Sequence, residues 1–205
     1  MLIAIAGNIG SGKTTLTKLL ANYYKWNPQY ENADNNPYIN DFYEDMQRWS
    51  FNLQVSFLSE RFKKMIDLRK ENKTVILDRT IYEDAYIFAP NLHAMGLMPS
   101  RDFENYSNLF ELVNSLIQAP DLLIYLRATV PTLVNQIQNR GRKYEDSIRL
   151  DYLKRLNERY EAWISGYDKG KLLIIDVDKT NFIENKEDLS GIINKIDAEI
   201  NGLFK

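Results

Sequence analysis

The chain has no cysteine in 205 residues and a single histidine, His93. Disulfides and thiolate metal sites are thereby excluded, and a histidine-based zinc site would need more than one imidazole. His93 is expected to be incidental to any chemistry. Net charge is also scarce: 26 Lys and Arg stand against 28 Asp and Glu, a balance of −2 with a pI near 5.6. That argues against a nucleic-acid duplex or an anionic membrane as the main partner. No apolar run approaches the ~20 residues of a membrane span. The first strand-like run begins at residue 2, which leaves no room for a signal peptide, so a cytoplasmic enzyme is expected. Glycine is sparse too, with nine in all. Yet Gly7, Gly10 and Gly12 crowd into the first twelve residues.

Those three belong to Gly7-Asn8-Ile9-Gly10-Ser11-Gly12-Lys13-Thr14-Thr15, which matches the phosphate-loop pattern G-x-x-x-x-G-K-[ST]. The flanks fit as well: Leu2–Ala6 is apolar and strand-like, and the helix formers Leu16–Ala21 follow. Glycines let the backbone curl round an anion, and the helix presents its positive end to the same point. Lys13 is expected between the β- and γ-phosphates of a nucleoside triphosphate, and the Thr14 hydroxyl on Mg²⁺.

Further apolar runs at Thr74–Leu77, Leu122–Leu126 and Leu172–Ile175, with a weaker one at Gln29–Glu31, alternate with helical segments. This predicts a parallel sheet of about five strands with helices on both sides. Trp26-Asn27-Pro28 is expected to break the chain before the weak strand, and Glu31 to stand at that strand's carboxyl end, where open α/β sheets bind ligands. A long helix is expected from Phe51 to Lys70, closed by Asn72 and Lys73. On it, Gln54 and Arg61 share a face lined by aromatic residues and suit the edge of a base. Thr74-Val75-Ile76-Leu77-Asp78-Arg79 has the form of an acidic strand that organises Mg²⁺, with Arg79 adding a cation. Asp84 and Phe88 lie one helical turn apart.

Residues 91–100 are expected to form a loop, and a broad apolar stripe from Phe103 to Ile117 to form a helix with a second subunit against it. Arg140-Gly141-Arg142 suits a mobile lid over the phosphates. A helix is expected from Asp146 to Ile164. Asp176–Phe182 then forms a polar loop at the ligand edge.

In order and spacing these residues resemble the deoxynucleoside kinase family, in particular bacterial deoxyadenosine/deoxyguanosine kinases, over nearly the whole chain. The resemblance implies a phosphate-loop kinase fold in a single domain, residues 1–205, with a lid at about 136–146. It implies ATP and Mg²⁺, a deoxynucleoside acceptor, nucleotide salvage, a homodimer, and no nucleic-acid polymer or membrane as partner. Glu31 would be the general base at the 5′-hydroxyl, with Arg79 bonding the same hydroxyl and Asp78 organising Mg²⁺ partly through water. Tyr43 and Glu145 would bind the 3′-hydroxyl, Gln54 would read the base, Phe88 would stack on it, and Arg61 with Asp84 would complete the pocket. Arg140 and Arg142 would form the lid, and Asp178, Thr180 and Phe182 would hold the donor base. Gln136 stands where many relatives carry a further lid arginine. Deoxyadenosine is the favoured acceptor, with deoxyguanosine and deoxycytidine also compatible.

A thymidylate-kinase-like enzyme is the alternative, but the stretch after Glu31 is acidic and amide-rich (Asp34, Asn35, Asn36, Asp41) and lacks cations for an acceptor phosphate. A GTPase switch is the other. Its motifs, Asp188–Gly191 and Asn194–Asp197, fall a few residues apart in a helical segment and follow no strand.

Overall fold

The computed structural model describes residues 1–31, 33–68 and 73–202, with Asp146 described through its backbone alone. Its strands are β1 (Leu2–Gly7), β2 (Asn27–Gln29), β3 (Val75–Asp78), β4 (Leu122–Arg127) and β5 (Lys171–Asp176). They are parallel and ordered β2-β3-β1-β4-β5. Alternate side chains of a strand enter opposite faces. Accordingly Ala4, Ala6, Val75, Leu77, Leu123 and Tyr125 join one core, and Ile3, Ile5, Ile76, Leu122, Ile124 and Leu126 the other. At the three central strands β1, β3 and β4 both faces are buried, which is why these runs show no polar alternation in sequence.

Helices α1 (Lys13–Tyr24), α7 (Val130–Arg140) and α9 (Lys186–Asn201) close the second core with Leu16, Leu20, Leu133, Ile192 and Ile196. The first core is covered by α2 (Ile39–Glu44), α3 (Met46–Leu68), α6 (Ser100–Asn114) and α8 (Leu150–Ser165). The two tetrapeptides that mimic GTPase motifs both lie inside α9, where the Tyr24 hydroxyl donates to Asp197 at 2.8 Å.

Several expected boundaries shift. The weak strand is Asn27–Gln29, two residues earlier than expected, and it includes Pro28. Among the described residues it is an edge strand, paired with β3 alone, so an edge position can absorb the missing N–H of Pro28. Glu31 consequently stands just beyond the strand end. Residues 91–94 are helical rather than loop. They complete a stretch made of α4 (Ile81–Glu83), a π turn (Asp84–Phe88) and α5 (Ala89–Ala94). Pro90 sits at the start of α5, where a missing donor is tolerated, directly after the widened π turn. The helix α8 begins at Leu150 rather than Asp146, because Lys143–Ser147 forms a tighter 3₁₀ turn. The long helix α3 starts earlier than expected, at Met46, and is described to Leu68; Lys70 and Asn72 lie outside the described residues. Leu116 and Ile117 fall beyond the end of α6.

Candidate active site

The phosphate loop runs from the end of β1 to the first turn of α1. Gly10 and Gly12 adopt left-handed φ of +83° and +92°, a region costly for a residue with a Cβ. At Gly10 a Cβ would also come within 2.8 Å of the Leu133 carbonyl oxygen, so α7 packs directly on the loop. Ser11 N–H donates to the Asn8 carbonyl at 3.1 Å. The buried Lys13 ammonium donates to the same carbonyl at 2.9 Å. Burial first, and the Arg79 charge second, lower the Lys13 pKa to about 7. An anion in the loop would favour its charged form.

The Thr14 hydroxyl donates to Asp78 at 2.5 Å, which joins the start of α1 to the end of β3. The other Asp78 oxygen is buried with no partner among the described residues, and burial raises the pKa of this carboxyl. Two hard oxygen ligands beside the loop fit a divalent cation. Among the described residues no group of three or more His, Asp or Glu side chains could hold a metal alone. An ion here would therefore take its remaining ligands from phosphate and water.

Across a cavity of about 380 Å³ from the loop lies a cluster of four charged side chains. Arg61 of α3 donates to both Glu31 and Asp84. Arg79, with φ +78°, donates through Nε to Glu31 at 3.2 Å. Burial alone would raise the Glu31 pKa, but the Arg79, Arg61 and Lys13 charges overcome it and hold the carboxyl at about 2. Burial prevails at Asp84, which is pushed up to about 7 despite Arg61 and Arg79. The guanidinium carbon of Arg79 lies 4.8 Å above the Phe88 ring, and that of Arg61 lies 5.0 Å above Phe57.

Gln54, Phe88, Leu53 and Phe57 line this cavity together with Lys13, Thr14 and Thr15 of the phosphate loop and the first turn of α1. Gln54 is buried and its Oε1 has no partner among the described residues. An acceptor atom left unpaired in a dry pocket costs roughly 1–3 kcal/mol unless a ligand or water meets it. Tyr43 also lines the cavity and stacks on Tyr144, centroids 5.4 Å apart. Arg61 and Asp78 stand behind the wall and act on it through Glu31, Asp84 and Thr14.

The arginine segment closes one side. Gly141 ends α7 in the left-handed conformation at φ +65°, and the chain turns back through Lys143–Ser147. Arg140 binds the buried Glu145 through both carboxylate oxygens. Arg142 donates to Asp34 at 2.9 Å, and the Tyr144 hydroxyl reaches the same carboxylate. The segment is thus pinned to the turn that follows Glu31. All three of Arg140, Arg142 and Glu145 face the main cavity.

The expected donor-base loop borders a second, shallower hollow of about 410 Å³ with Thr180, and Gln136 of α7 lines both hollows. Two of its residues are occupied internally. Asp178 accepts from the Thr129 N–H at 3.0 Å and from its hydroxyl at 3.1 Å, capping α7. Phe182 is buried against the phosphate loop, its ring about 3.1 Å from where a Gly12 Cβ would stand. His93 stacks on Phe103 at 4.6 Å, away from the cavity.

Sequence reasoning missed Glu83 and Tyr160. Glu83 is fully buried and accepts from the Thr80 N–H at 2.7 Å, the reciprocal bond of a capping box. The pattern Thr80-x-x-Glu83 was visible as a helix start. Nothing in the sequence marked Tyr160, whose hydroxyl meets both Arg79 and Glu83 at 2.8 Å.

A phosphate loop after β1, a buried carboxylate at the end of β3 bonded to Thr14 of that loop, and a cavity facing the loop define a phosphate-loop phosphotransferase. The family model described as deoxynucleoside kinase matches residues 3–201. The chain belongs to the deoxynucleoside kinase family, and it is an enzyme that phosphorylates deoxynucleosides. It is 37% identical to a deoxyadenosine/deoxycytidine kinase of Bacillus subtilis (strain 168), over 97% of this chain and 93% of that one. It is 36% identical to a deoxyguanosine kinase of Lactobacillus johnsonii, over 100% and 94% respectively. A solved deoxyadenosine kinase from M. mycoides, with products dCMP and a flexible dCDP bound, superposes with TM-score 0.86 at 26% identity. That match covers 97% of this chain and all of the other.

Proposed function

We propose that the protein transfers the γ-phosphate of ATP to the 5′-hydroxyl of a deoxynucleoside in cytoplasmic nucleotide salvage. Deoxyadenosine is the favoured acceptor, with deoxyguanosine and deoxycytidine also accepted. The observation that carries the proposal is Glu31, an ionised carboxylate held by Arg61 and Arg79 in the cavity that the phosphate loop and Gln54, with its unmatched Oε1, also line.

The acceptor enters with its base at Gln54, which hydrogen-bonds the base edge while Phe88 stacks on the ring. Arg61 and Asp84 shape the far end of the pocket. Tyr43 and Glu145 receive the 3′-hydroxyl, and Tyr43 crowds the 2′ position, favouring deoxyribose. The 5′-hydroxyl is thereby directed at Glu31, whose carboxylate accepts its proton as the new P–O bond forms, and Arg79 holds that carboxylate in line. Lys13 and the loop N–H groups bind the departing diphosphate side of ATP. Thr14 and Asp78 would hold Mg²⁺, which supplies neutralisation of phosphate charge. Residues 136–146 act as the lid. For this, Arg140 and Arg142 exchange Glu145 and Asp34 for phosphate oxygens. Thr180 and the backbone of 178–182 border the donor base. The whole chain works as one domain. On its outer surface Leu109, Leu112 and Leu116 are exposed, and they support pairing of two copies across α6.

Thermal denaturation tests the acceptor assignment. Deoxyadenosine is expected to raise Tm without any nucleotide present, and dTMP to leave it unchanged. Stabilisation by dTMP alone would instead favour a nucleoside monophosphate kinase.

A further inference from the structure

Glu83 places a carboxyl group where there is no exposure, and it lines no part of the ligand cavity. Isolating a carboxylate from water costs several kcal/mol unless partners replace the solvent. Glu83 has such partners. Its Oε2 accepts from the Thr80 N–H at 2.7 Å and from the Thr80 hydroxyl at 3.2 Å, the ordinary work of a helix cap. Its Oε1 does something a cap does not require. It accepts from Arg79 Nη1 at 3.1 Å, from the Tyr160 hydroxyl at 2.8 Å, and from the N–H of Gly7 at 3.3 Å.

The same Arg79 Nη1 donates to the Tyr160 hydroxyl at 2.8 Å, closing a triangle. Tyr160 is fully buried on α8. Two other α8 residues on the same face reach the phosphate loop: Asn8 donates to the Leu153 carbonyl and to Asn157, each at 3.2 Å. Arg79 meanwhile occupies left-handed backbone space, a conformation that costs a non-glycine residue roughly 1–2 kcal/mol. Something must hold it there. A guanidinium is a planar fork, so fixing Nη1 fixes the direction of Nε. That Nε faces Glu31.

We infer that Glu83 and Tyr160 are positioning residues that orient Arg79 toward Glu31 and fasten it to the first residue of the phosphate loop. Glu83 bonds the loop at Gly7 and the acceptor arginine at Nη1, so donor and acceptor halves share one buried carboxylate. Tyr160 extends the clamp to α8, the helix that follows the arginine segment. The inference rests on the proposed role of Arg79 in holding the Glu31 carboxylate in line with the 5′-hydroxyl.

The test compares Tyr160→Phe, which keeps the ring and removes one hydroxyl, with Glu83→Gln and Arg79→Lys. Single-turnover phosphoryl transfer from ATP to deoxyadenosine is measured with the full chain, together with hydrogen exchange of the Arg79 Nε–H by NMR. Its resonance is assigned by loss in Arg79→Lys. In Tyr160→Phe the transfer rate is expected to fall about ten- to a hundredfold, with the ATP KM within about twofold and faster exchange at Arg79 Nε–H. Glu83→Gln should act in the same direction and more strongly. Unchanged transfer and unchanged Nε–H exchange in Tyr160→Phe, even with a lowered Tm, would reduce the triangle to structural support. Full activity in Arg79→Lys would instead overturn the role of Arg79 itself.

Discussion

Arg61, on α3, donates to Glu31, which lies just past β2 and thirty residues away in sequence. The same guanidinium reaches Asp84 in the π turn, so one cation joins two acidic side chains that line the cavity. Glu31 owes its low pKa to the Arg79 charge first and the Arg61 charge second, since burial alone would raise it. At neutral pH the carboxylate is therefore fully ionised and able to take a proton.

Glu31→Gln keeps the size of the side chain and removes the proton acceptor. The single-turnover rate with deoxyadenosine is expected to fall about 10²- to 10⁴-fold. Nucleotide affinity, measured by titration with a non-hydrolysable ATP analogue, should change little. A near-normal rate would remove Glu31 from the role of base.

Arg61→Met removes one of the charges that hold Glu31 ionised. The sign follows: with less positive charge nearby, the Glu31 pKa rises from about 2, and the acid limb of the pH–rate profile moves to higher pH. Deoxyadenosine KM should rise as well, because Asp84 loses its partner. A profile superimposable on wild type in the acid range would show that Arg61 serves the base pocket alone.

Lys13 sits near pKa 7 in the free protein, so at pH 8 most molecules hold it neutral. Phosphate favours the ammonium form, and nucleotide binding at pH 8 should therefore take up a proton, up to about one per site. Calorimetry in two buffers of different ionisation enthalpy measures this directly. No buffer dependence at pH 8 would mean that Lys13 is already charged.

Gly10 and Gly96 both have left-handed φ, at +83° and +71°, but their surroundings differ. A Cβ at Gly96 meets nothing within 4 Å, whereas at Gly10 it meets the Leu133 carbonyl and Ile137 of α7. Gly96→Ala should cost only the backbone strain, about 1–2 kcal/mol. Gly10→Ala should cost more in urea denaturation and should also weaken ATP binding. Equal losses would mean that α7 yields freely.

The phosphate loop, the acidic strand end and the two-sided core were legible because each rests on local rules: glycine spacing, an apolar run, a terminal Asp. The position of β2 was not, since Pro28 signals a break unless the strand is known to be an edge. Nor was the helical character of 91–94, where a π turn precedes Pro90. The Arg61 bridge was half legible. Gln54 and Arg61 could be placed on one face of a helix, but the contact with Glu31 depends on how α3 crosses the sheet edge. Tyr160 illustrates the limit most clearly: it reads as one more aromatic residue of an amphipathic helix, and only the fold brings its hydroxyl to Arg79.

The most direct measurement is steady-state transfer from ATP, with Mg²⁺, to deoxyadenosine, deoxyguanosine, deoxycytidine, thymidine and dTMP in parallel. Deoxyadenosine is expected to give the highest kcat/KM and a 5′-monophosphate product, with deoxyguanosine or deoxycytidine also turned over. Phosphorylation of dTMP with no turnover of any deoxynucleoside would contradict the assignment of the acceptor site.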